Sequence, residues 1–223
     1  MFGRRSKFDR SLRERGVPPE APTSAALDER STDGPYDIAD APGTDEKMLD
    51  FGALKIPIVD GFNVRLEIAA DGAMGAVTVM HDDAILQLSV FAAPRSGGAW
   101  QTIREDICAE IKRGGGTYTL AAGEFGREIQ GQIAGPGGLQ DARFIGVDGP
   151  RWFLRGLLAG TAGSDASAAE PLLEVLRRVV VSRGTEPKPV REPLTLMLSA
   201  ELASQLQDGA EDADVVLDDD LDS

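Results

Sequence analysis

The stretch Asp83–Gly116, DAILQLSVFAAPRSGGAWQTIREDICAEIKRGGG, constrains the fold more than any other part of the chain. AILQLSVFA reads as a strand, and the corner Pro94-Arg95-Ser96-Gly97-Gly98 ends it. A helix over 97–113 follows, because Trp100, Ile103, Ile107 and Ile111 repeat at the spacing of one buried stripe. Arg104, Glu105, Glu110 and Lys112 then face water, and Gly114-Gly115-Gly116 stops the helix. A strand, a tight corner and an amphipathic helix require a sheet for the helix to lie on.

The flanking sequence supplies that sheet. FGALKIPI is a first strand, and Asp60-Gly61 turns the chain into FNVRLEI. There Phe62, Val64, Leu66 and Ile68 share one face while Asn63, Arg65 and Glu67 share the other. MGAVTVM follows the Asp71-Gly72 turn, and His81-Asp82-Asp83 closes a hairpin onto AILQLSVFA. Beyond the helix, TYTLAA, REIQGQI, ARFIGVD and RWFLRGLLA form a second strand series broken by glycine-rich turns. SAAEPLLEVLRRVVV then reads as a helix with Leu172, Leu176, Val179 and Val180 on its buried face. Leu194–Leu198 is a candidate edge strand and SAELASQLQ a candidate short helix. The order strands–helix–strands–helix is a duplicated rhythm without a residue-level repeat. The expected fold is α+β, a mostly antiparallel sheet of about seven to nine strands with helices 97–113 and 167–182 packed on one face.

Charge divides the chain further. The net charge of −14 is concentrated at the ends. Residues 1–16 hold six Lys/Arg against two acids, residues 17–50 two against nine, and residues 201–223 nine acids and no base. Residues 51–200, with 15 bases and 17 acids, are close to neutral. Residues 1–48 are therefore expected to be a disordered arm, basic then acidic, since few large apolar groups offset the entropy of ordering. Residues 3–15 could form a short basic helix within it. Residues 49–200 are one domain, and residues 201–223 an acidic tail. A single cysteine, Cys108, excludes an internal disulfide and fits a reducing cytoplasm. No apolar run reaches the roughly 20 residues of a membrane span.

The fragments LQLSVFAAPRSGGAWQTIREDI, GPRWFLRGLLAG and VVVSRGTEPKPVREPLTLML resemble an actinobacterial family of uncharacterised proteins, a domain of unknown function. The resemblance covers roughly residues 45–200 and also the basic start and acidic end. It implies a cytosolic bacterial protein with a single α+β domain, and no catalytic residue.

Candidate chemistry is sparse. Arg95, Ser96, Gly97 and Gly98 precede a helix N-terminus, where free N–H groups and the positive dipole end favour an anion such as a phosphate or carboxylate. The Lys-Ser/Thr pair of a phosphate-binding P-loop is missing, and the bland reading is that Ser96 caps the helix. His81-Asp82-Asp83 reads as a solvated hairpin, because three consecutive residues at a turn diverge. Cys108 reads as core packing. Arg151, Phe153 and Arg155 alternate onto one strand face, with Trp152 and Leu154 on the other. A near-neutral domain lacks the basic footprint of nucleic-acid binding, so Arg stems lying over apolar neighbours is the preferred reading. No cofactor or metal is indicated.

Two functions follow. The first is a non-catalytic interaction or regulatory module that engages protein partners through its charged tails, the tail DGAEDADVVLDDDLDS being a recognition segment for a basic partner. The alternative is a binder of a small anion or phosphorylated metabolite, or an enzyme acting on one, at the Arg95–Gly98 corner. The scarcity of His, Cys and Tyr removes the usual nucleophiles and general bases.

Overall fold

The computed structural model describes residues 33–197 except 44, 69–73 and 136. The expected basic helix at 3–15, the helix SAELASQLQ and the acidic tail lie outside the described residues. In chain order the strands are β1 (Tyr36–Asp37), β2 (Met48–Asp50), β3 (Leu54–Pro57), β4 (Asn63–Ile68), β5 (Met74–His81) and β6 (Ala84–Ala92). Helix α1 (Ala99–Arg113) leads to β7 (Tyr118–Gly123), β8 (Gly126–Gly135), β9 (Gly138–Gly149) and β10 (Trp152–Gly160). A 3₁₀ turn, helix α2 (Ala166–Arg178) and β11 (Val180–Val181) complete the series.

The main sheet has seven strands in the order β4-β5-β6-β10-β9-β8-β7, and every neighbouring pair is antiparallel. A smaller sheet runs β1-β11-β3-β2, with β1 parallel to β11. The fold is α+β, as the strand and helix periodicities require. Among the described residues no helix is long and apolar enough to cross a membrane.

The two helices, however, do not share a face. Successive residues of a strand point to opposite sides of the sheet, and β10 feeds two separate cores. Trp152, Leu154 and Leu158 join one cluster, which takes Leu172, Leu173, Val175 and Leu176 of α2 and Leu54 and Ile56 of the small sheet. Phe153 joins the other, with Trp100, Ile107, Cys108 and Ile111 of α1 and Ile129 and Phe144 from β8 and β9. The expectation of both helices on one face is thus corrected. The cause is legible in RWFLRGLLA, whose near-continuous apolar run marks a strand buried on both sides. Leu172 has no exposed surface and Leu176 only 1%, each worth about 1.5–3 kcal/mol of burial.

Other boundaries shift for local reasons. Helix α2 stops at Arg178, where Val179 is already extended, and Val180–Val181 pairs with β3 and β1 instead of continuing the helix. A run of three valines favours the pleated form. Residues 33–48, expected within a disordered arm, include β1 and the start of β2; the buried Trp152 donates its Nε1–H to Asp37 Oδ2 at 2.7 Å. The segment 191–197 forms isolated bridges where an edge strand was expected. Arg191 N donates to Ala92 O, Leu194 N to Val90 O and Met197 N to Phe51 O, so this segment straps the end of β6 to the small sheet. Pro193, lacking an N–H, cannot extend a regular ladder there.

Candidate functional site

Both ends of α1 carry chemistry, and they differ. At its N-terminus, Gly97 (φ +68°) and Gly98 (φ +79°) adopt left-handed conformations that favour glycine. Arg95, Ser96 and Gly98 are exposed and Gly97 is half-buried. The N-cap residue is Gly98, so Ser96 does not cap the helix. The cap comes from 48 residues downstream. Asp148 of β9 accepts from Ala99 N at 3.0 Å and from Trp100 N at 3.3 Å to each carboxylate oxygen. A carboxylate of the chain itself therefore occupies the helix N-terminus, where both the unpaired amides and the dipole favour negative charge.

Trp100 fixes this end against the sheet. Its ring lies over Gly146, where an added Cβ would fall 2.1 Å from the indole, and stacks on Phe153 with centroids 5.9 Å apart. Its Nε1–H donates to Arg127 O at 2.6 Å.

At the other end, the last two turns of α1 and the sheet enclose a cleft of about 530 Å³, a size typical of small-molecule sites. Its apolar wall is Ile107 and Ile111 of α1 with Ile133 and Phe144 of the sheet. Its charged groups are Glu110, Arg113 and Arg155. Glu110 and Arg113 are exposed, whereas Arg155 is half-buried. Gly114 ends the helix at the cleft, and the carbonyls of Glu110, Ile111 and Lys112 accept from the amides of Gly114, Gly116 and Gly115.

Arg155 is the most informative residue of this site. It follows Phe153 by two positions on β10 and so shares its face. Its guanidinium lies 5.6 Å from the centre of the Phe91 ring, and Nη2 donates to Ser89 Oγ at 3.4 Å. Among the described residues that long bond is the one hydrogen bond of a group with five N–H donors. Burial pushes its pKa below the usual arginine value, and the Glu110 carboxylate opposes the shift. Beyond Ser89 the same face continues as a polar ladder: Thr78 donates to Glu67, and Gln87 Nε2 donates to the other Glu67 oxygen at 2.6 Å.

The remaining candidates resolve as packing. His81 stacks on Phe62 with centroids 4.6 Å apart, and Asp82 turns the hairpin at φ +52°. Among the described residues no group of three His, Cys, Asp or Glu side chains is placed to hold a metal. Cys108 is buried under α1. Trp152 and Phe153 are both fully buried and Arg151 sits in the turn at φ +64°, so this strand presents no aromatic platform. A buried ion pair, Arg143 Nη2 to Glu128 Oε2 at 3.0 Å, ties β9 to β8. Sequence reasoning missed the cleft; its signal was Arg155, the only charge inside the apolar run WFLRGLLA.

A seven-stranded antiparallel sheet with one helix on each face defines an α+β domain. The chain belongs to the DUF3710 family, described as proteins of unknown function, whose model matches residues 34–205. That span opens two residues before β1 and takes in both sheets and the strap. No curated protein and no solved structure matches the chain.

Proposed function

We propose that this domain is a non-catalytic regulatory or interaction module that holds a small anionic ligand in the cleft at Arg155. One observation carries the reading: a half-buried guanidinium on the wall of a cleft of about 530 Å³ has a single long hydrogen bond, to Ser89, among the described residues. A desolvated cation is costly unless an anion completes its shell. The charged groups of the cleft are two guanidiniums and one exposed carboxylate. Guanidiniums stay protonated and make poor bases, so Arg113 and Arg155 recognise charge. The reading moves the anion from the Arg95–Gly98 corner, where the α1 amides already hold Asp148, to the opposite end of the same helix.

In this reading the protein is cytoplasmic and of actinobacterial origin, supported by the single cysteine and the resemblance of its fragments. Its charged ends, six bases against two acids in residues 1–16 and nine acids in residues 201–223, recruit protein partners. Amide NMR during titration with short anions tests the site. Shifts at Ile107, Ile111, Ile133 and Arg155 are expected. Shifts confined to Arg95–Gly98, or none, would overturn it.

A further inference from the structure

We infer that the ligand of this cleft is an apolar monocarboxylate, its carboxylate on the Arg155 guanidinium and its hydrocarbon body against Ile107, Ile111, Ile133 and Phe144. The inference rests on the proposed reading of the cleft as a ligand site, and names the chemistry that site selects.

Shape points to a pair of adjacent oxygens. The guanidinium is a planar fork that a carboxylate or a phosphate meets with two parallel N–H···O bonds, and charge and the wall decide between the two. Ser89 engages Nη2, which leaves further donors for a ligand.

Charge points to a single negative charge. Within the cleft Arg155 is the half-buried cation, Arg113 is exposed, and the exposed Glu110 carboxylate lines the same space. Gly114 lines the same cleft, and the C-terminal end of a helix offers a phosphate no free N–H groups. Phosphate sites use the opposite helix end, where amides converge. In this chain that end of α1 is filled by Asp148.

The wall points to an apolar body. Ile107, Ile111 and Phe144 are buried members of the α1-side core, and Ile133 packs against them. A bare anion such as acetate would leave the exposed part of this wall, chiefly the half-buried Ile133, wet, whereas an alkyl or aryl chain would cover it at about 25 cal/mol per Å².

The test uses the full chain and four probes, octanoate, octyl phosphate, octanol and acetate, followed by calorimetry and by amide NMR. Octanoate is expected to bind about tenfold or more tightly than any of the others, with shifts at Ile111, Ile133 and Arg155. R155Q is expected to weaken octanoate about tenfold or more and to leave octanol unchanged. R155K, which keeps the charge without the fork, is expected to fall between them. Should R155Q fail to fold, R155K and the four-probe ranking still decide the matter. Octyl phosphate binding more tightly than octanoate at the same resonances would overturn the monocarboxylate and leave the cleft reading standing. No shift at the cleft with any probe would remove both.

Discussion

The Asp148 carboxylate receives the Trp100 amide on both of its oxygens, at 3.3 Å each, and so joins β9 to the first turn of α1. It is the side chain that caps this helix, because Gly98 offers none. Replacing Asp148 by Ala should cost about 1–2 kcal/mol, the worth of a helix cap with a favourable dipole contact. The thermal midpoint should fall by about 2–4 °C for each kcal/mol at this chain length. Asp148→Asn, which keeps one acceptor, should lose less. An unchanged midpoint for D148A would mean that the cap contributes nothing.

Trp100 reaches its place only because position 146 lacks a Cβ. Gly146→Ala would set a methyl 2.1–2.6 Å from indole carbons with the rigid Phe153 ring behind them. Overpacking of this kind costs about 1–3 kcal/mol. Gly43→Ala, where an added Cβ meets nothing within 4 Å, should stay within about 0.5 kcal/mol of the parent. Urea unfolding of the pair reads the difference directly.

Glu128 and Arg143 form an ion pair whose side chains are 5% and 16% exposed. Gln130 Nε2 donates to the other Glu128 oxygen at 2.8 Å. Removing one partner leaves a charge buried without compensation, so Glu128→Ala should cost about 3–5 kcal/mol. The double variant E128L/R143M should recover most of that loss, because apolar replacement of a buried pair is often neutral. A double-mutant cycle by chemical denaturation gives the coupling. Equal losses for single and double variants would contradict the pair's role.

Binding through Arg155 carries a defined pH signature. Burial lowers the arginine pKa, but the folded group still titrates far above neutrality. A cation whose folded pKa lies below its unfolded value disfavours folding at all pH values below the folded pKa. That cost is relieved only as pH climbs towards the ordinary arginine value. Octanoate affinity should therefore be flat from about pH 6 to about pH 9, and fall below about pH 5 as the ligand protonates. An affinity that dropped through neutrality would implicate a different group.

The parts of the fold that local pattern controls were legible. The alternation through FNVRLEI and AILQLSVFA gave β4 and β6, and the Trp100-Ile103-Ile107-Ile111 stripe gave α1. What escaped depends on partners distant in sequence. Asp148 caps a helix 48 residues away, and Asp37 meets Trp152 from 115 residues away. Neither contact leaves a periodic trace. The helices lie on opposite faces because RWFLRGLLA, unbroken in its apolar character, is buried on both sides. The expected Arg stem over apolar neighbours is met at Arg155, which lies over Phe91. In the fold, Phe153 lies under α1 and Arg155 stands beside it at the cleft.

Arg155→Met decides most directly whether this residue serves a ligand or the fold. The methionine keeps the unbranched stem over Phe91 and removes a charge that burial disfavours. The measurement is the thermal midpoint of parent and variant, each with and without a hundredfold excess of octanoate over its dissociation constant for the parent. The parent should gain about 2.7 kcal/mol from the ligand. R155M alone should melt no lower than the parent, and octanoate should stabilise it by about 1.4 kcal/mol or less. A variant that melts well below the parent, yet gains as much from octanoate as the parent does, would show that Arg155 is structural and that the ligand binds elsewhere.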